Sequence, residues 1–162
     1  MTKVILYIAL LLASSNAVAE APNFKSATDH ITAIIGCRNP IIQSGYSSPK
    51  APLYICYLGI DDYRKVFIND DGSGRIKNIK LMWDDRTKSI PPLPPIHAEK
   101  ANAKNMLDTV LKIYAPDVKN NVIKAFFLTK KPAKFESKNY HIDFIYSKGP
   151  SVDERLLVLT PN

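Results

Sequence analysis

Apolar and polar positions alternate along this chain with two different periods, and the switches between them outline its elements. Ala27, Ile31, Ile34 and Ile35 recur at helical spacing and predict a first helix. Ser26 and Asp29 stand close to a capping box at its start, and Gly36 is placed to end it. Residues 38–52 hold three prolines, one glycine and four serines or glutamines, a composition that predicts a loop. Strand-like runs follow over residues 53–60, 63–69 and 75–83. Asp61 and Asp62 separate the first two runs; Asp70, Asp71, Gly72, Ser73 and Gly74 make a strong turn signal before the third. Ile79, Leu81 and Trp83 share one face of that third run, with Asn78 and Lys80 on the other. The three runs predict an antiparallel meander.

Pro91, Pro92, Pro94 and Pro95 then impose an extended, polyproline-like connection over residues 89–96. The clearest helix comes next. Ala103, Met106, Leu107, Val110, Leu111 and Tyr114 form one stripe, and Lys100, Lys104 and Lys112 face away. Pro116 ends this helix. Asp117 is expected to cap another, with Val118, Val122, Ile123, Phe126 and Phe127 as its buried side. Residues 135–137, 140–147 and 155–160 predict strands. The order is therefore helix, meander, proline break, two helices, and two or three more strands. It predicts an α+β fold: antiparallel sheet meanders with helices packed on one face, in two helix-plus-meander halves. This order resembles that of small periplasmic modules built from two such units, such as β-lactamase-inhibitor-like folds. The likeness is one of topology and carries no function with it.

The first residues read as an address. Lys3 gives a positive start, residues 4–13 are uncharged and apolar, and Ala17-Val18-Ala19 supplies small residues where a signal peptidase needs them. Ten apolar residues fall well short of the ~20 that cross a bilayer. The expected organisation is a cleaved secretory signal peptide over 1–19, then one α+β domain over 20–162 without a transmembrane segment. Of the 162 residues, cleavage leaves 143 and removes one lysine and no acid, so the net charge falls from +7 to +6. Export to a periplasmic or extracellular space also settles the expected state of the two cysteines. Cys37 and Cys56 are predicted to form a disulfide, stapling the first helix to the sheet.

Composition narrows the chemistry. An apolar fraction of 46% and a charged fraction of 23% are those of a globular chain. There is no nucleotide loop, metalloprotease helix or nucleophile elbow, and no cofactor is expected. Asn69, Asp71 and Ser73 sit at alternate positions, as in a calcium loop, but Lys80 stands where the last ligand belongs. A hairpin turn explains the segment better. His30, His97 and His141 are the three histidines, none at metal-ligand spacing from another, and no metal is expected. His141 and Asp143 lie two apart on a predicted strand, so they share a face. Such a pair can supply a general base, yet it is also commonplace on an exposed sheet.

The densest basic stretch holds Lys119, Lys124, Lys130, Lys131, Lys134 and Lys138, with Glu136 as its one acid. Lys130, Lys131, Lys134 and Lys138 are the candidate binding residues, for an acidic protein partner or an anionic envelope surface. Nucleic acid is disfavoured by export and by a cation set of 17 lysines among 22, since phosphate and base recognition lean on the arginine fork. The expectation is a soluble, exported, non-catalytic binding protein of the bacterial envelope, of the kind that inhibits or neutralises another protein. The alternatives are an envelope-polymer hydrolase using His141 and Asp143, and a basic protein associating with anionic membrane.

Overall fold

The computed structural model describes residues 23–45, 48–59, 62–86 and 96–162. The predicted signal peptide and almost all of the proline-rich connection lie outside the described residues. The elements run α1 (Phe24–Ile35), β1 (Ile41–Gly45), β2 (Ser48–Leu58), β3 (Arg64–Asp70), β4 (Ile76–Asp85), α2 (Ile96–Tyr114), α3 (Lys119–Leu128), β5 (Ala133–Glu136), β6 (Tyr140–Lys148) and β7 (Asp153–Pro161). The fold is α+β, as the periodicity predicts.

The two meanders do not make two sheets. They join through β4 and β7 into one seven-stranded sheet of order β1-β2-β3-β4-β7-β6-β5, antiparallel throughout. Register aligns the core in rows across the strands. Tyr54, Ile68, Ile79, Leu159, Ile142 and Phe135 form one row. Cys56, Val66, Leu81, Leu157, Phe144 and Ala133 form the next. The described helices cover this face. Their buried side chains include Ala27 and Ile31 of α1, the whole predicted stripe of α2, and Val122 and Phe126 of α3.

Three local expectations need correction. The N-cap of α1 is Asn23, whose side chain accepts the Ser26 N–H at 2.7 Å, so the helix starts two residues before Ser26. Asn is as good a cap as Ser, and Asp29 instead pairs with Lys25 at 2.6 Å one turn away. Gly36 does end the helix, in the left-handed region at φ 67°, where a Cβ would be strained. Asp117 does not cap α3, whose N-cap is Val118 with no side-chain bond. It accepts from Ser137 Oγ at 2.6 Å and Lys138 N at 3.0 Å, and so ties the β5–β6 turn to the start of α3.

The third correction concerns the predicted loop over residues 38–52, in which 41–45 form β1 and 48–52 the first part of β2. The prolines are accommodated by pairing irregularity. Register between β1 and β2 shifts between Gln43 and Gly45, and pairing of β2 to β3 begins only at Leu53. Pro49 and Pro52 therefore fall where the regular ladder makes no demand on their missing N–H groups. The predicted disulfide is present. Cys37, just past α1, bonds Cys56 of β2 across a Cα separation of 6.0 Å. Thr32 and Tyr54 add a hydroxyl contact of 2.8 Å between the same two elements.

Candidate functional site

The residues singled out by sequence end up on different surfaces. Lys130 and Lys131 lie in the α3–β5 connection, Lys134 on β5 and Lys138 in the β5–β6 turn. They surround the β5 edge rather than converge on one spot. Lys134 is almost fully exposed and lies 3.6 Å from Asp143 of the neighbouring strand. Lys119 is taken up by Asp108 at 2.6 Å. His141 and Asp143 do share a face, the one away from the helices. His141 Nδ1 pairs with the Glu136 carboxylate opposite it, and both groups are more than half exposed. None of the three cavities described below takes in His141 or Asp143.

The acidic turn between β3 and β4 is occupied by its own backbone. Asp70 accepts from Gly72 N and Gly74 N; Asp71 accepts from Ser73 N at 2.8 Å and Ser73 Oγ at 2.6 Å. The Ser73 hydroxyl, then the Ser73 N–H, hold the Asp71 carboxyl down at about 2. Among the described residues no group of three or more His, Cys, Asp and Glu side chains is arranged for a metal ion.

A charged cluster that sequence reasoning missed lies on the helix side of the sheet. Arg155 is 4% exposed. Its Nε donates to Asp85 Oδ2 at 3.1 Å, and its Nη1 donates to the carbonyls of Phe126 at 2.6 Å and Thr129 at 3.0 Å. Asp85 and Asp153 are opposite one another at the end of the β4–β7 pair, and Tyr146 donates to Asp153 at 2.7 Å. A cavity of about 240 Å³ adjoins, lined also by Trp83, Lys100, Phe127 and Lys130. Since Arg155 closes the last carbonyls of α3 and is neutralised by Asp85, the cluster fastens α3 to the centre of the sheet. The signal was available: Asp85 keeps the phase of Ile79, Leu81 and Trp83, and Arg155 that of Leu157 and Leu159.

The opposite face of the sheet is the more informative surface. A one-sided antiparallel sheet turns polar residues to solvent. Here one row reads Ile41, Ile55, Phe67, Lys80, Val158 and Asp143. The next reads Tyr57, Lys65, Met82, Leu156 and Ile145. No described helix covers these rows. Ile41, Tyr57 and Ile145 are each 41–45% exposed, while Phe67, Met82, Leu156 and Val158 are half-buried by their neighbours. Lys65 is paired with Asp84 at 3.0 Å. Lys80, in the middle of the apolar row, has no ion-pair partner among the described residues.

Two further cavities lie among the described residues. A groove of about 620 Å³ lies where the end of α1 meets β1, β2 and β3, and a crevice of about 210 Å³ lies between α1, α2 and the β5–β6 turn. Tyr114 and Tyr140 line the crevice edge to face at 5.8 Å, and burial pushes both phenols up, Tyr114 to about 12.

Fold and surfaces together define a disulfide-stapled α+β protein, helices on one face of a continuous antiparallel sheet and an apolar band on the other. Among the described residues no helix is long and apolar enough to cross a membrane. Comparison with protein families, with curated proteins and with solved structures finds no match to this chain.

Proposed function

We propose that the chain is an exported, non-catalytic binding protein whose partner is another protein seated on the open face of the sheet. The apolar band across β1, β2, β3, β4, β7 and β6 carries this reading, because exposed aliphatic and aromatic side chains in contiguous rows favour a covering surface. Lys80 within it, which has no ion-pair partner among the described residues, gives the partner's chemistry: an apolar patch that includes a carboxylate. Lys134 extends the same face, and Lys130, Lys131 and Lys138 border its β5 edge, where they favour an acidic partner. A leader of signal-peptide form and the Cys37–Cys56 bond support an extracytoplasmic setting. An inhibitor or neutralising partner of an envelope protein is the class proposed. The hydrolase reading has no comparable support, with His141 paired to Glu136 on an open strand face.

The test is capture of a partner from the envelope fraction by the mature protein and by variants. Tyr57→Asp and Ile145→Asp place charge in the band at exposed positions, and Ile113→Asp does so on the solvent side of α2, where Ile113 is equally exposed. One protein retained by the wild type and by Ile113→Asp, and lost by both band variants, is the expected result. Capture indifferent to the band variants would refute the assignment.

A further inference from the structure

The groove beside α1 holds two arginines, Arg38 and Arg64, that close no ion pair within hydrogen-bonding reach among the described residues. Arg38 follows the disulfide and is exposed; Arg64 opens β3 and is half-buried between Leu58 and Trp83 in the helix-side register. Neither makes an ion pair among the described residues. Burial works against the charged form of Arg64, with Glu99 of α2 pulling the other way more weakly. Gly59 makes room for this guanidinium: a Cβ there would stand 3.2 Å from Arg64 Nη2. Among the described residues the groove lining has one acid, Asp62, against the two arginines. Its walls also carry Asn39 and the apolar Ile35, Leu58, Ile41 and Tyr57, and the last two belong to the open face of the sheet. The groove is thus continuous with the apolar band and adds to it two guanidinium groups in one lining.

We propose that this groove anchors an acidic residue of the bound protein, its carboxylate between Arg38 and Arg64 and the adjoining apolar side chain on Tyr57 and Ile41. The inference rests on the protein-binding reading above. A carboxylate fits better than a phosphate dianion because Asp62 shares the groove and because the walls suit a hydrocarbon neighbour. Arginine is also the residue whose fork meets a carboxylate with two parallel hydrogen bonds.

The test uses the mature, disulfide-bonded protein and two capped peptides, acetyl-Leu-Glu-Phe-amide and its isostere acetyl-Leu-Gln-Phe-amide, followed by amide NMR shifts. The acidic peptide is expected to shift Gly36, Asn39 and Gly59, and the Gln peptide to bind about tenfold or more weakly. Arg38→Gln, at an exposed position that does not endanger folding, is expected to weaken the acidic peptide by about the same factor. Equal binding of the two peptides, no effect of Arg38→Gln, or equal displacement by millimolar inorganic phosphate would overturn the proposal. Ile145 lies four strand spacings from Tyr57 along the same row, about 19 Å. Ile145→Asp is therefore expected to leave peptide binding unchanged while abolishing partner capture. Missing peptide shifts with capture still sensitive to Ile145→Asp would remove the groove alone; the converse would remove the open-face reading alone.

Discussion

Arg155 offers the sharpest test of how the two halves are held together. It sits on β7, pairs with Asp85 of β4, and donates to the last carbonyls of α3. Both ion-pair partners are nearly sequestered, their side chains 5% and 7% exposed. Arg155→Met keeps most of the hydrocarbon volume and removes the charge and three hydrogen bonds. Breaking a buried pair from one side costs about 3–5 kcal/mol, because the remaining charge stays buried. The carbonyls of Phe126 and Thr129 each lose a charged donor as well, which places the expected loss near the upper part of that range, about 4–5 kcal/mol. Asp85→Asn preserves shape and leaves Arg155 its two carbonyls, so about 2–3 kcal/mol is expected.

The informative quantity is the coupling. Once Arg155 is gone, the Asp85 carboxylate is a buried charge without its guanidinium, and neutralising it relieves that cost. In the Arg155→Met background Asp85→Asn should therefore cost about 1 kcal/mol or less, a coupling of about 2 kcal/mol. Urea unfolding of the four proteins, with equal m-values as the check on two-state behaviour, measures it. Strict additivity, or a loss under about 1 kcal/mol for Arg155→Met, would refute the view that this arginine fastens α3 to the sheet.

Three further outcomes follow from the same geometry. Reducing Cys37–Cys56, 19 residues apart, should lower stability by about 3 kcal/mol in the chain-entropy account, read from the urea midpoint; an unchanged midpoint would count against it. Removing the α1 cap by Asn23→Ala should cost about 1 kcal/mol, with helix-end amides at Ser26 losing exchange protection; undiminished protection there would show that the cap does not matter. The Asp71 carboxyl, lowered in the folded state to about 2 by Ser73, contributes stability that is fully present above the unfolded value near 4. That contribution is lost as pH falls through about 2. A carboxyl NMR titration should show the low midpoint and its rise in Ser73→Ala; a wild-type midpoint near 4 would contradict the turn geometry.

What the sequence revealed and what it concealed have separate physical causes. The α2 stripe was legible in full, since six apolar residues at helical spacing leave one packing solution. The disulfide was legible from cysteine number together with the signal-peptide-like pattern of the first residues. β1 was not, because the proline content of residues 38–52 argues against strand unless the ladder is interrupted there, and interruption is a property of pairing. The cap of α1 was misplaced by three residues, since Asn23 and Ser26 both meet the local rule and only the path of the chain selects between them. Asp117 likewise looked like a cap until the β5–β6 turn, 20 residues on, brought two better donors to it.

The open face was concealed for a deeper reason. Strand alternation tells which residues share a face, not which face is solvated. In β4 the pattern Ile79, Leu81, Trp83 marks the core so strongly that Asn78 and Lys80 read as its polar reverse, and Met82 goes unnoticed. In β7 both faces are mixed: Leu156 and Val158 lie on the open side, while the charged Asp153 and Arg155 join Leu157 and Leu159 on the helix side. Once β4 and β7 are paired, Met82 meets Leu156, and Lys80 meets Val158. The apolar band is therefore created by the junction of the two halves. Neither meander carries it alone, and a binding surface of this kind depends on the central pairing that Arg155 and Asp85 secure. A variant that loosens that junction without unfolding the chain should weaken partner capture even though it touches no residue of the band. Arg155→Lys is such a variant, keeping the charge while giving up the fork that reaches two carbonyls and a carboxylate together. Capture unaffected by Arg155→Lys, in a protein whose β4–β7 amides exchange faster than the wild type's, would separate the band from the junction and refute this dependence.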